Sequence, residues 1–303
     1  MNHRRKGFIL LTVLWSIMLA AVLAATGRAG SAVAITAAHN RISIERGQWT
    51  AQACLAQTHQ VLDMHFANET DEVRRTALWQ RIDEAIEGPT IETRCDIHAF
   101  ARGAKLNVNR ASVEQMRALL QAADARTDGW ALAAALLDWR DSDHDPEPDG
   151  AEAEWYRQEG LSLPRNGPFR SVEEISLVRG FGDRLHLLRY LSTTDGIISL
   201  SNAPLPVLAA IPGVSPLMAG HVLAVRSVRP LGDLRDVLRG APAESSIELL
   251  NHFEEAARVT TVTPDAWYLS VRIRLGDPVV ERTLRATLVR TARHLHVASI
   301  EQW

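Results

Sequence analysis

From Phe8 to Thr26 the chain carries no charge for about 19 residues, which at roughly 1.5 Å per helical residue spans the ~30 Å hydrocarbon layer of a bilayer. A run of that length dictates that the rest of the protein is organised around a segment that prefers lipid. Arg4, Arg5 and Lys6 stand directly before it and hold that flank on the cytoplasmic side, so everything after Arg28 is delivered to the far side. The bulk of the chain is therefore expected to be extracytoplasmic.

A secretory signal peptide has an apolar core of roughly 7 to 15 residues followed closely by a small-x-small cleavage site. Here the core is longer, and Ala32-Val33-Ala34 lies too far downstream. An uncleaved signal anchor fits the hydropathy equally well. The order basic cluster, Gly7, Phe8, apolar run resembles the type III leader of the type IV pilin and pseudopilin superfamily. That resemblance implies cleavage between Gly7 and Phe8 by a prepilin peptidase and methylation of the new N-terminal Phe8. Most members carry Glu five residues into the mature chain, where this sequence has Thr12. A carboxylate in hydrocarbon is tolerated only beside an opposite charge, in a pilus the terminal ammonium of a neighbour. A subunit without it suits the end of a filament better than its repeating shaft.

At 303 residues the chain is long enough for two cores, and a net charge of −3 with 46% hydrophobic residues describes a folded protein without the basic excess of a dedicated nucleic-acid binder. Cys54 and Cys95 are its two cysteines. Beyond the membrane an even count favours one disulfide, which would staple a helix to a strand; two buried free thiols are the alternative.

After Arg28, Ala34, Ile35, Ala38, Ile42, Ala51, Leu55, Val61 and Leu62 keep helical spacing, and no proline intervenes before Pro89. With the leader that the resemblance implies over 1–7, the spacing predicts one long helix over 8–66, transmembrane over 8–26. Val73, Leu78, Ile82 and Ile86 predict a second helix stopped by Gly88-Pro89, and alternation from Ile91 to Ala99 predicts a half-buried strand. Trp267 to Leu275, a turn at Gly276-Asp277, Thr283 to Val289 and Leu295 to Ile300 supply further strands. Between them the texture turns helical, and Leu106-Asn107-Val108-Asn109-Arg110-Ala111 has a counterpart in Ile198-Ser199-Leu200-Ser201-Asn202-Ala203. Pro212-Gly213 and Gly180-Phe181-Gly182 resemble the turns of helix-hairpin-helix units. The expected fold class is α+β: a pilin-like long helix on a small antiparallel sheet over 67–105 and 259–303, with a large α-helical domain over 106–258 inserted into it.

The densest chemistry is Asp138 to Glu154, with eight carboxylates and two prolines in 17 residues. Such a run repels itself, and a hard divalent cation relieves that repulsion. Asp141, Asp143, Asp145, Asp149 and Glu152 fall at positions 1, 3, 5, 9 and 12 of the calcium-loop count, with Glu154 beyond them, but Pro146 stands where that loop needs glycine. The expectation is an irregular structural Ca2+ site drawing on Asp141, Asp143, Asp145, Asp149, Glu152 and Glu154. The plain alternative is a solvated acidic linker.

Together, the leader without its inner Glu, the Leu-Asn-Val-Asn opening at Leu106, the acidic loop leading to Gly150-Ala151-Glu152, Ser171-Val172-x-Glu174 and Asn202-Ala203-Pro204 resemble the type II secretion minor pseudopilin K family. The resemblance implies a bacterial inner-membrane anchor, a periplasmic body and calcium in the helical domain. It further implies a place capping the pseudopilus tip with minor pseudopilins I and J, above the shaft and facing the secreted substrate or the outer-membrane secretin. The rival reading is a membrane-anchored DNA-binding protein of a DNA-uptake system. Charge opposes it: Gly103 to Thr261 holds 16 Lys plus Arg against 22 Asp plus Glu. An enzyme is not expected, since neither a nucleophile–base arrangement nor a phosphate loop accompanies His144.

Overall fold

The computed structural model describes residues 3–86, 95–194, 196–275 and 279–302, with the side chains of residues 3–11, 23–33, 35, 275, 280 and 302 outside that description. Helix α1 (His3–Asn68) is continuous over 66 residues. Among the described residues no helix is long and apolar enough to cross a membrane. Within the expected span over 8–26 the described side chains are those of residues 12–22, where Leu14, Trp15, Ile17, Met18 and Leu19 are 60–66% exposed. The side chains of Gly7 and Phe8 lie outside the described residues, as do the Gly88-Pro89 stop, the start of the expected strand at Ile91 and the Gly276-Asp277 turn.

Gly47 is where α1 meets a sheet most closely: an added Cβ would sit 3.2 Å from Arg282 Cγ and 3.4 Å from Ile273 Cδ1. The glycine serves close approach rather than a bend. The helix expected from Val73 to Ile86 is two, α2 (Glu72–Gln80) and α3 (Ile82–Ile86), broken at Arg81, whose φ of −131° is not helical. Asp71 caps α2 by accepting from the backbone nitrogens of Val73 and Arg74. Strand β1 (Cys95–Ala101) follows, turning Asp96, His98 and Phe100 outward and the residues between them inward. Cys54 of α1 and Cys95 of β1 form a disulfide, Cα to Cα 6.5 Å, across a separation of 41 residues. Replacing both cysteines by serine is expected to lower stability by about 3–4 kcal/mol, read as an earlier urea midpoint that reductant reproduces in the parent protein.

From Leu106 the chain builds a helical unit in two halves. The first opens with β2 (Leu106–Asn107), runs through α4 (Val113–Ala123), α5 (Gly129–Arg140) and α6 (Ala153–Gln158), and closes with β3 (Leu191–Ser192), parallel to β2. The second opens with β4 (Ile198–Ser199), runs through α7 (Leu205–Leu208), α8 (Pro216–Val228), α9 (Ala243–Asn251) and α10 (Phe253–Val259), and closes with β5 (Thr260–Thr261), parallel to β4. One arginine clamp recurs. Arg140 at the end of α5 donates to the carbonyls of Val108 and Ala111, and Arg226 in α8 donates to those of Leu200 and Ala203. Each guanidinium satisfies carbonyls that the turn before a helix would otherwise leave bare. The halves differ mainly in one place. Where α8 is followed within a few residues by a 3-10 turn at Leu234–Leu238, α5 is separated from the turn at Glu173–Leu177 by the acidic segment.

The chain then returns to the sheet through β6 (Ala266–Leu275), β7 (Val280–Arg290) and β8 (Leu295–Gln302), all antiparallel in the order β1-β6-β7-β8. Leu269, Val271, Ile273, Leu284, Ala286 and Leu288 face α1 and form one core with Leu55, Leu62, Phe66 and Trp79. A second core fills the helical unit. Both ends of that unit attach at the same end of the sheet, where Ala101 pairs with Trp267. That end lies by the C-terminal part of α1, since His59 reaches Leu295 O at 2.9 Å and Asp63 accepts from Leu295 N at 2.7 Å, whereas Gly47 lies by Ile273 and Arg282 at the other. The helical unit is thus carried at the end of the molecule remote from Phe8. Gln80 ties the two cores, donating to Leu231 O and Thr263 Oγ1 while its own carbonyl accepts from Asn202 Nδ2.

Candidate metal centre

The acidic segment is rooted in α5, an apolar helix capped by Asp128 and buried along Leu132 to Leu136. Its last turn carries Asp138, which is fully buried. The backbone folds back on this carboxylate: Glu147 N donates to Asp138 Oδ1 at 3.0 Å, and a Cβ at Gly150 would stand 2.0 Å from Asp138 Oδ2. Only glycine permits that approach. Asp149, one step earlier, takes φ +66° to turn the chain inward. Aromatic rings wall the back of the site, with Trp139 edge-on to Tyr156 at 5.3 Å and stacked on Phe169 at 6.4 Å.

Asp141, Asp143 and Glu152 converge so that one carboxylate oxygen of each lies within 4.8 Å of the others. Three side-chain oxygens there are buried and without a hydrogen-bond partner: Asp138 Oδ2, Asp141 Oδ1 and Glu152 Oε1. Burial pushes the Asp138 carboxyl up to about 6, opposed by its backbone hydrogen bonds and reinforced by the charges of Glu152 and Asp141. Asp141 is also raised, first by burial and then by Asp143, Glu152 and Glu147. The neighbouring cations relieve this only in part, the charge of Arg140 lowering Asp141 somewhat. Arg140 is turned to its carbonyl clamp, Arg179 donates to Gly150 O at 2.7 Å and stacks on Trp155, and Arg157 pairs with Glu154. Orphaned buried carboxylate oxygens of one sign are costly in a folded interior, and their donor set, all hard oxygen, fits calcium.

Of the residues expected to bind, the structure brings together Asp141, Asp143 and Glu152 and not the other three. Asp145 offers its backbone nitrogen to Asp143 Oδ1 at 3.0 Å, Asp149 makes the turn, and Glu154 bonds Arg157 and Gln158. Asp138 is the member that spacing did not single out. Its signal was a lone carboxylate inside Leu136-Leu137-Asp138-Trp139, on the apolar stretch of a helix. His144 faces Asn166 at 2.9 Å and not the carboxylate cluster. Substituting Gly150 by alanine is expected to displace Asp138 and abolish calcium-induced quenching or enhancement of tryptophan fluorescence, Trp139 being the adjacent reporter.

Residues 93–192, which span the acidic segment and the first helical half, match the family model described as type II secretion system (T2SS), protein K. Over that third the chain is similar in sequence to the type II secretion protein K family. Its fold is similar to that of a chain in the crystal structure of the GspK-GspI-GspJ complex from the type 2 secretion system of enterotoxigenic Escherichia coli. The TM-score is 0.58 at 15% identity, over 86% of this chain and 96% of that one. No curated protein matches it by sequence.

The geometry also bears on the DNA-uptake reading. Helix-hairpin-helix turns bind phosphate with open backbone nitrogens beside their glycines. Here a Cβ on Gly213 would lie 2.8 Å from Glu248 O and 3.0 Å from Leu249 Cα, and one on Gly180 would lie 2.5 Å from Leu132 Cδ2, whereas Gly182 stands open. Gly213 and Gly180 are thus used for packing α9 and α5, so the turn at Pro212-Gly213 offers no open glycine to a phosphate.

Proposed function

We propose that this chain caps the tip of the type II secretion pseudopilus and helps start its assembly with minor pseudopilins I and J. The observation that carries the reading is the placement of the helical unit at the end of the molecule remote from Phe8, rooted through Ala101 and Trp267. In a filament built by stacking long helices, that bulk stands where the next subunit would have to sit. Prepilin peptidase releases the chain at Gly7–Phe8, the exposed apolar face around Trp15 stays in the inner membrane, and the periplasmic body is drawn onto the partners. Labelling the helical unit with gold should mark one end of isolated pseudopili; label spaced along the shaft would sink the proposal.

Calcium is the second part of the proposal. Asp138, Asp141, Asp143 and Glu152 would hold it, and the ion supplies the positive charge that the surrounding arginines withhold. Calcium at about 100 Kd adds about 2.7 kcal/mol. At about 2–4 °C per kcal/mol for a domain of this size, the Tm should rise by roughly 5–10 °C over chelated protein. An unchanged melting curve in chelator rejects the site.

A further inference from the structure

Asn166 and Asp149 are the non-glycine residues with positive φ among the described residues, Asn166 at +50°. Its Nδ2 donates to Asp143 O at 2.6 Å and lies 2.9 Å from His144 Nδ1. The segment 161–170 thereby closes over the acidic loop and holds its Asp143 arm in place. Glu174 fixes that segment from behind, accepting from Arg165 Nε at 2.7 Å, Arg170 N at 2.9 Å and Trp139 Nε1 at 3.2 Å. The residue after Asn166 is Gly167, where an added Cβ would meet only Arg165 Cγ and Cδ at 3.8 Å. Packing does not require a glycine there. Its chemical effect is to leave its own backbone nitrogen unshielded next to an asparagine side chain.

We propose that Asn166 is a deamidation site, guarded while the acidic loop is loaded with metal and disabling the loop once converted. The guard rests on the calcium reading above. In the reaction the Gly167 nitrogen bonds to Asn166 Cγ, the Cγ–Nδ2 bond breaks, and ammonia leaves with the proton given up by that nitrogen. Water then opens the five-membered imide at either carbonyl to give aspartate or isoaspartate. An intramolecular nucleophile is fast when the chain can reach the attack geometry and slow when it is held away from it. The two contacts of Nδ2 hold the amide to the loop, so they restrain it as long as the loop is ordered. Metal release frees the Asp143 arm and with it the amide. After conversion an oxygen stands where the donor was, facing the Asp143 carbonyl, and a further negative charge joins the acidic segment. The loop loses its clasp and does not recover it.

The test uses the full chain in detergent, incubated at mildly alkaline pH with calcium or with chelator. Mass mapping follows the gain of about 1 Da that replacing an amide by an acid produces. Conversion at Asn166 should run roughly tenfold faster in chelator. G167A should slow it in both conditions and leave the calcium titration unchanged, and N166D should weaken calcium binding roughly tenfold. Equal rates with and without calcium, in protein shown by titration to bind calcium, overturn the guard. Gain of mass elsewhere with Asn166 intact overturns the site. N166D with parental calcium affinity overturns the consequence. If the parent chain takes up no calcium, the metal reading itself has failed and the guard with it, while G167A still decides whether Asn166 is the reactive residue.

Discussion

Asp138→Asn is expected to weaken calcium binding at least about 100-fold while making the chelated protein more stable than its parent. The two effects have one source. Asp138 is fully buried, its Oδ2 has no partner, and it shares its site with Glu152 and Asp141. Without metal that charge is a cost to the fold; on the proposed calcium reading it would be a ligand. An asparagine keeps Oδ1 as the acceptor for Glu147 N and removes the charge. Isothermal titration and thermal melting in chelator read the two arms separately. A variant that loses calcium and also melts earlier in chelator would show that the carboxylate supports the fold directly.

The pH dependence fixes the sign. The folded-state value of about 6 lies above the ordinary 3.8, so the folded protein holds a proton there that the unfolded chain releases. Stability from that proton is present in full below about pH 4 and is lost as pH rises to about 6, a loss of about 3 kcal/mol. The chelated parent should therefore lose stability across that window, and Asp138→Asn should lose distinctly less, keeping only what Asp141, raised in the same direction, contributes. Calcium binding needs the carboxylates ionised, so its affinity rises through the same window. In calcium the parent's slope should flatten or reverse, which chemical denaturation at a series of pH values will show.

What the sequence disclosed follows the reach of each signal. Trp267, Leu269, Val271 and Ile273 alternate with polar residues because one sheet face is buried and the other wet, so the strand is written in its own ten residues. Residues 141, 143 and 152 were legible from spacing because close carboxylates in a short loop have few ways to separate. Asp145, Asp149 and Glu154 shared that spacing and went elsewhere, since the loop is set by Pro146, Pro148 and the left-handed Asp149 rather than by a regular calcium-loop turn. Asp138 is read as helix, and only the return of Gly150 across space makes it part of the site. The arginine clamps were illegible for the same reason: Arg140 and Arg226 resemble surface cations until the carbonyls they satisfy are brought to them. The break at Arg81 in a continuous helical period shows tertiary contacts overriding local pattern, with Gln80 held between the two cores.

Gly103→Ala is expected to cost about 3–4 kcal/mol and to detach the helical unit's orientation from the sheet without emptying the metal site. Gly103 sits where the chain leaves β1 for the insertion, at φ +85°, a conformation that charges an alanine about 1–2 kcal/mol. A Cβ there would lie 2.2 Å from Ile197 O and 2.9 Å from Ser199 N, so the two backbone segments at the joint must part. The hydrogen bond from Ser199 N to Gly103 O, 2.9 Å long, is then strained or lost. The acidic loop is rooted in α5, and none of its carboxylates is among the atoms that a Cβ at Gly103 would meet, so calcium affinity should stay within about threefold of the parent. Assembly should suffer instead, because a cap acts through the angle at which it is carried. On the proposed capping role, the expected outcome is a protein with unchanged calcium titration and a lowered urea midpoint that no longer yields capped tips when combined with minor pseudopilins I and J. Parental tip formation by Gly103→Ala would mean that the joint does not set the cap's pose, and that bulk alone, wherever it points, is enough to stop the stack.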